Sequence, residues 1–391
     1  MKYINLKLLL IGIFFVLTIS SLYISYASGI VKDTGSQDFQ WGPSKILLEH
    51  GNPYAEYFKY EDGERENPFI LVQYPNYPSS GYVFLWPYAS MDWENAKRAW
   101  WFSNIIFTIL IVVGLQLLFP IKKKYSLLLI IFLFIGSSPW RSVLANGQHG
   151  LFSLVLFIWS VYFVQKRWLL AGILLAMSWF KYTLTFPLSL YFLYKKEYKI
   201  VLLAICVHVF LTLFVSYWID ESIADFFLGP LRVAMIVTPS GDIDIFGVIT
   251  HFSLPKILGM IMLFIIIAST VMIAKQKQIK VQEHSILLMS YLSMVALTIF
   301  YHLNYDFVIL IFPLWFVFYY ENISKLLKVL ILSLIAIQWY ITAIVGLVFR
   351  KIAYEGELLN ESIFIVKLLI AYGLFYALYK QIKNKENIRP N

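Results

Sequence analysis

The chain has 391 residues, of which 60% are hydrophobic and 14% charged, and its mean hydropathy is +0.70. Soluble domains carry about a quarter charged residues, so this balance excludes one and calls for a polytopic helical membrane protein. The single cysteine, Cys206, excludes an intrachain disulfide. The net charge of +9 invites an anionic partner such as nucleic acid, but the placement of the basic residues gives that charge another cause.

The first apolar run, Leu8–Ala27, follows Lys2 and Lys7. It is long for the core of a cleaved signal peptide and many spans follow, so a retained signal-anchor helix over residues 1–28 is expected. Either reading places residues 29–100 outside the cytoplasm as a loop. Within that loop, residues 38–50 read as a short interfacial helix. Ser36 or Asp38 can cap it, Pro43 suits its first turn, and Gly51 with Pro53 ends it. Phe39, Ile46 and Leu47 are expected to face lipid. The loop's many Tyr and Trp residues suit an aromatic belt at the membrane surface, with sugar stacking as a second use.

Further apolar runs follow over Trp101–Phe119, Tyr125–Ser138, Leu151–Val164, Trp168–Phe180, Leu184–Tyr194, Ile200–Ile219, Ile257–Ala274, Ser285–Phe300, Phe307–Tyr319, Leu326–Phe349 and Ile363–Leu378. They predict an all-α polytopic membrane protein of roughly twelve transmembrane helices. The multi-helix domain covers residues 101–380, and a basic cytoplasmic tail covers 381–391. Basic clusters at Lys122–Lys124, Lys166–Arg167, Lys195–Lys199, Lys275–Lys280 and Lys325–Lys328, together with the tail, belong on the cytoplasmic side. That puts both termini inside and makes Tyr125–Val164 and Trp168–Tyr194 hairpins. The positive charge is therefore a topology signal and needs no nucleic acid. Several runs fall short of the ~20 residues of a full span, as helices do when they stop at a water- or substrate-filled cavity.

With this topology the noteworthy polar residues sort to the outer side: Asp38, Arg141, Asn146, Gln148, His149, Lys181, Asp242, Asp244, His251, His302, Asn304 and Asp306. A cluster on one face suits a reaction performed there, whereas a coupled transporter scatters ionisable groups near the midplane. Asp38 reads either as a plain helix cap or as a general base fixed at the membrane surface. Arg141, in a ten-residue turn after Trp140, reads as an interfacial snorkelling residue or as a phosphate clamp. Lys181 lies among aromatic and apolar neighbours, where a lone ammonium costs free energy unless it reaches water or an anion; a lipid phosphate is the favoured partner. His302 and Asp306 offer two ligand types, which do not make a metal site. Asp242 and Asp244 read as a solvated turn. No HExxH, paired CxxC or phosphate-cradling loop is present, so no cofactor is established and a divalent metal is not implied.

Taken together, Asp38-x-x-x-x-Pro43, Gly51-x-Pro53-Tyr54, Tyr74-Pro75-x-x-Pro78, Leu85-x-Pro87, Ala96-x-x-x-Trp100, Asn146-Gly147-Gln148, Ala171-Gly172 before Lys181, and His302-x-x-Tyr305-Asp306 resemble glycosyltransferase family 87. That family consists of polyprenyl-phosphate-sugar-dependent membrane transferases of the glycosyltransferase-C superfamily. The resemblance runs over roughly residues 7–320 in consistent order. It implies a glycosyltransferase-C-like bundle in the cell (inner) membrane and an extracytoplasmic active site. It also implies inverting transfer from a polyprenyl-phosphate sugar, mannose among the candidate sugars, to a glycolipid or glycan hydroxyl. Asp38 inherits the general-base role. Arg141, Lys181, Gln148 and His149 are the donor-phosphate candidates. Tyr74, Tyr77, His302 and Asp306 are candidate donor or acceptor contacts. Two departures stand out: Tyr182 follows Lys181 where the family often has Pro, and His149 follows Gln148 where it often has Asn. A lipid-linked-sugar flippase and a non-catalytic membrane subunit remain the alternatives.

Overall fold

A computed structural model describes residues 6–70, 73–237, 268, 285–300, 302–320, 323–341 and 356–384. Every element among these residues is helical. Asp242, Asp244, His251, the basic cluster at 275–280 and the 381–391 tail beyond Asn384 lie outside them, as does nearly all of the 257–274 run. By length and composition four helical segments can cross a membrane: 11–31, Trp93–Leu118, 168–185 and Tyr198–Ile219; a bent pair, Lys124–Ile135 with Ser138–Asn146, raises this to five. Gly150–Phe163, Ser285–Ile299 and the 304–319 stretch are shorter apolar helices. The chain is thus an all-α membrane protein, and the described residues carry four or five full-length spans where the apolar runs predict about twelve crossings.

Helix α1 (Leu6–Tyr26) keeps its apolar side chains mostly outward, as a helix in lipid does, and continues into a single π turn, Ala27–Val31. The loop then holds α2 (Trp41–Leu48), α3 (Pro53–Glu61), α4 (Ser79–Tyr82) and α5 (Trp86–Ala89) before α6 (Trp93–Leu118) begins. The interfacial helix expected over residues 38–50 is therefore shorter and starts at Trp41. Its N-cap is Gln40, which makes no side-chain cap bond, so Asp38 caps nothing. His50 in the left-handed region ends it. Asn52 caps α3 by accepting from the Tyr54 and Ala55 amides, with Pro53 at the first helical position.

Phe39 and Leu47 are fully buried and do not face lipid. With Tyr54, Tyr57, Tyr82, Trp100, Phe152 and Phe180 they form a second apolar core between the loop and the membrane bundle. Much of the expected aromatic belt is thus a packed interior. Phe39 stacks on Trp100 at 4.8 Å, and Tyr77 on Phe180 at 4.8 Å; such pairs add about 0.5–1.5 kcal/mol each beyond area burial.

The ten-residue turn expected around Arg141 is a helix, α8 (Ser138–Asn146), set at 49° to α7 (Lys124–Ile135). Ser137 caps its start and Pro139 sits in its first turn, while Gly147 ends it at φ +68°. The chain returns through α9 (Gly150–Phe163), where Trp159 Nε1 donates to the Leu110 carbonyl of α6. The next stretch contains α10 (Trp168–Ser178), a tight turn at Trp179–Lys181, α11 (Tyr182–Thr185) and α12 (Leu190–Tyr194). Gln165, ahead of α10, donates to Glu197, after α12, at 3.0 Å. The two ends of this stretch therefore meet and Lys181 lies at its far tip: it is a hairpin, although residues 168–185 alone reach the length of a span. Helix α13 (Tyr198–Ile219) packs along α10, and α14 (Ile223–Val237) packs on α3.

Candidate active site

Residues from five separate segments meet at the loop-side end of the bundle, and each is placed by an identifiable local device. Asp38 comes first. Its amide donates to the Asn146 carbonyl at 2.9 Å, and the Ser36 amide donates to the Ala145 carbonyl at 2.9 Å. These carbonyls end α8, where a helix has acceptors without intrahelical donors, so the loop segment supplies the missing partners. Gly147 permits the close approach. A Cβ there would stand 2.7 Å from Phe39 Cβ, and its φ of +68° is a conformation L side chains rarely adopt. The Trp100 indole donates to the Gly147 carbonyl at 2.9 Å, fixing the turn to α6.

Gln148 and His149 follow directly. The Gln148 side chain lies near Asp38, whose pKa it lowers, and its Oε1 accepts from Lys181 Nζ at 2.8 Å. Lys181 is buried at the hairpin tip. Its ammonium forms an ion pair with Asp306 Oδ1 at 2.5 Å and lies 4.5 Å from the centre of the Tyr305 ring. On the other side of that carboxylate, Asp306 Oδ2 faces His302 Nδ1 at 3.2 Å and accepts from the Leu303 amide at 3.3 Å. His302 Nε2 lies 3.0 Å from the Ala296 carbonyl oxygen. The chain of contacts runs Gln148, Lys181, Asp306, His302, with Asp38 beside Gln148 at the end of α8. Four of the five are ionisable, and Lys181, Asp306 and His302 are buried. Buried charged groups are costly unless paired, and such clusters are candidates for function.

Asp38 is half-buried and its pKa is raised from the ordinary carboxylate value. Burial is the main cause; the Gln148 hydrogen bond and the Lys181 charge pull it back down, and Asp306 adds to the rise. The Tyr77 hydroxyl is pushed well above the usual phenol range, first by burial, then by the charges of Asp306 and Asp38. Tyr77 therefore lies within electrostatic range of both carboxylates, with its ring stacked on Phe180.

The remaining candidates are placed as follows. His149 is fully buried, with neither ring nitrogen hydrogen-bonded, inside a ring of Phe39, Tyr77, Trp100 and Phe180 at 4.6–6.0 Å. Tyr74 packs on Tyr57, Tyr60 and Phe69 in the outer loop, apart from the charged chain. Arg141 is half-buried and makes no ion pair among the described residues. Its helical register is informative. Ser138, one turn before it, accepts from Asn304 Nδ2 at 3.0 Å, and Ala145, one turn after it, holds the Ser36 amide. Arg141 thus lies one turn along α8 from Ser138, on the face that meets the Asn304–Asp306 turn. Among the described residues no three His, Cys, Asp or Glu side chains gather at metal-ligating distance.

Sequence reasoning offered Ser36 only as a helix cap; its hydroxyl instead donates to the Gly29 carbonyl at 3.0 Å and braces the Asp38 segment. Its signal was the unusual Gly35-Ser36 pair, which takes a positive φ at Ser36. It also missed the link from Ser80 to His208, 2.6 Å between Oγ and Nδ1, which ties α4 to α13. A lone histidine inside an apolar run was the available clue.

The sequence model of glycosyltransferase family 87 matches residues 76–303, more than half of the chain. The chain belongs to glycosyltransferase family 87. Tyr77, Arg141, Gln148, His149, Lys181 and His302 fall inside the family match, and Asp38, Tyr74 and Asp306 outside it. No curated protein matches this chain.

Proposed function

We propose that this family 87 glycosyltransferase moves a sugar from a polyprenyl-phosphate donor to a hydroxyl of a lipid or glycan acceptor, with inversion, on the extracytoplasmic side of the cell membrane. The observation that carries this reading is the Asp38–Gln148–Lys181–Asp306 cluster, a carboxylate and an ammonium that both lie beside the Gln148 amide at the loop-side end of the bundle. A transfer of this kind needs a base on the acceptor side and positive charge on the leaving-group side.

The acceptor oxygen attacks the anomeric carbon as the bond from that carbon to the phosphate oxygen breaks. The acceptor proton passes to the Asp38 carboxylate, and the bonding electrons leave with polyprenyl phosphate. A phosphodiester carrying one negative charge becomes a monoester carrying two, so negative charge grows at the phosphate as Asp38 is neutralised. No acid is needed at the leaving group; a cation is. Arg141, which has no carboxylate partner among the described residues, supplies the contact to the phosphate. Lys181 supplies field from behind, its ammonium already balanced by Asp306. Tyr77, within electrostatic range of both carboxylates, lies against the sugar.

The experiment is transfer by the purified full chain in lipid, with radiolabelled polyprenyl-phosphate sugars and membrane extract as acceptor. Transfer that falls about 100- to 10,000-fold in Asp38→Asn is expected for the loss of a general base. Equal transfer by that variant, or none from any donor by the wild-type protein, overturns the reading.

A further inference from the structure

Helix α14 presents three different faces. Phe226, Gly229, Pro230 and Val233 recur at helical spacing and are buried. This face packs on α3: a Cβ at Gly229 would stand 2.6 Å from Tyr54 Cγ, and Phe226 meets the Tyr54 ring edge-on at 6.2 Å. Asp225 and Arg232, two turns apart, form an exposed charged ridge with 3.9 Å between Oδ1 and Nη1. Ile236 is the one exposed apolar side chain on that ridge. Away from the buried face runs a stripe of Leu228, Leu231 and Met235, at i, i+3 and i+7, with Phe227 beside it. All four side chains are exposed, Met235 to 83%.

The surroundings of α14 identify what covers the stripe. Helix α13 can cross a membrane, and its outward side chains Phe210, Leu213 and Tyr217 are exposed. Residues 220–222 alone separate its end from α14. At that end the Trp218 carbonyl oxygen lies 2.9 Å from His50 Nδ1, and the Asn52 side chain donates to the Glu221 carboxylate. The start of α14 is therefore level with the loop helices α2 and α3, at the surface of the bilayer. With 15 residues α14 is about 22 Å long, short of the ~30 Å hydrocarbon core, so it does not cross. Its neighbour α3 has the outward face of a helix in water, with Lys59 and Glu61 exposed. The α14 stripe has no such group, and it follows directly on the lipid-facing side chains of α13.

We propose that α14 is an in-plane interfacial helix whose free apolar stripe is seated in the hydrocarbon of the bilayer leaflet on the loop side. Each face then has its own medium: protein for the Phe226 face, lipid for the Met235 stripe, and water with lipid headgroups for the Asp225–Arg232 ridge. A helix at the membrane boundary divides its surface in this way. The lipid contact of α13 thereby continues around the outer end of the bundle. It comes within one helix of the candidate site, because Tyr54, against which Gly229 packs, donates its hydroxyl to the Tyr77 carbonyl at 2.7 Å.

Spin labels read this surface directly. Cys206→Ser removes the exposed native thiol, and single cysteines for labelling are then introduced by Leu228→Cys and Met235→Cys. Leu213→Cys on α13 serves as the lipid reference and Lys59→Cys on α3 as the water reference. Power saturation of the full chain in lipid nanodiscs compares collisions with oxygen, which concentrates in hydrocarbon, and with a water-soluble nickel chelate. At Leu228→Cys and Met235→Cys the oxygen collision rate is expected to exceed the nickel rate, as at Leu213→Cys, with a depth of about 5–10 Å below the headgroup boundary. At Lys59→Cys the order reverses. Nickel access at the two stripe positions equal to that at Lys59→Cys places the stripe in water and overturns the proposal. Shielding from both reagents overturns it as well, since protein then covers the stripe, a second copy of this chain or more of the same one. Both stripe positions are exposed, so if one label disturbs folding the other decides.

Discussion

Asp38 is a carboxylate held under conditions that oppose its charge. Its raised pKa means that the folded state binds the proton more tightly than the unfolded chain does. Stability from this group is greatest below the unfolded carboxylate value and declines as pH rises through the higher folded value, so at neutral pH the ionised side chain costs stability. Asn in its place carries no charge to desolvate. Thermal melts in nanodiscs at neutral pH are therefore expected to show Asp38→Asn at least as stable as the wild type, although transfer is lost; a clearly lower Tm would mean that the carboxylate has a structural part to play. Acting as a base requires the ionised form, so wild-type transfer is expected to fall on acidification through the raised pKa, at a higher pH than an ordinary exposed aspartate would give. A pH–rate profile of kcat/KM measures this limb. Sequence alone left Asp38 between helix cap and base. What separates the two is that α2 begins three residues later with Gln40 at its cap, while Asp38 is tied by its backbone to α8.

The short helix α8 carries more of the site than any long span. It receives the Ser36 and Asp38 amides on its last carbonyls, presents Arg141 one turn earlier, and hands the chain to Gln148 through a left-handed glycine. Gly147→Ala is expected to cost about 1–2 kcal/mol for the left-handed conformation alone, with more from the contact to Phe39, and to reduce transfer by displacing the Asp38 segment. Ser137→Ala removes the cap at the other end of α8 and is expected to cost about 1 kcal/mol with less effect on transfer. Chemical denaturation and transfer measured on the same preparations distinguish the two ends. The helix was legible in Ser137-Ser138-Pro139 and Gly147, a start and a stop nine residues apart; the apolar runs on either side drew it into the turn of a hairpin instead. Helix packing was not read from sequence: Ala171-Gly172 entered only as a motif of the family resemblance. Gly172 of α10 faces Leu203 of α13, where a Cβ would stand 2.5 Å from Leu203 Cδ2. Gly172→Val is expected to force α13 away and lower the Tm, while the protein that remains folded keeps its pH–rate profile. Burial of Phe39, Leu47 and the loop tyrosines was not legible, because an aromatic that faces lipid and one that faces a second core look alike in sequence.

One ion pair joins distant parts of the molecule at the site: Lys181 at the hairpin tip and Asp306 in the turn ahead of the 311–319 helix, 125 positions later in the chain. Only about 5% of either side chain is exposed. The lone lysine read from sequence as a candidate for a lipid phosphate has a carboxylate beside it, and the order of motifs gave no way to see that His302-x-x-x-Asp306 folds back onto it. Removing one partner leaves a buried charge uncompensated, which costs about 3–5 kcal/mol, whereas removing both is often nearly neutral. Lys181→Met and Asp306→Asn are therefore each expected to lower stability strongly, and the double variant to regain most of that loss. Denaturation midpoints across the four proteins give the coupling directly. Transfer should behave differently. The double variant restores the fold but loses the ammonium bonded to Gln148, so activity is expected to stay as low as in Lys181→Met. If the double variant recovers transfer along with stability, Lys181 and Asp306 are a structural clasp between two halves of the bundle. If stability returns without transfer, the same clasp is what couples the assembled bundle to the base on its surface loop.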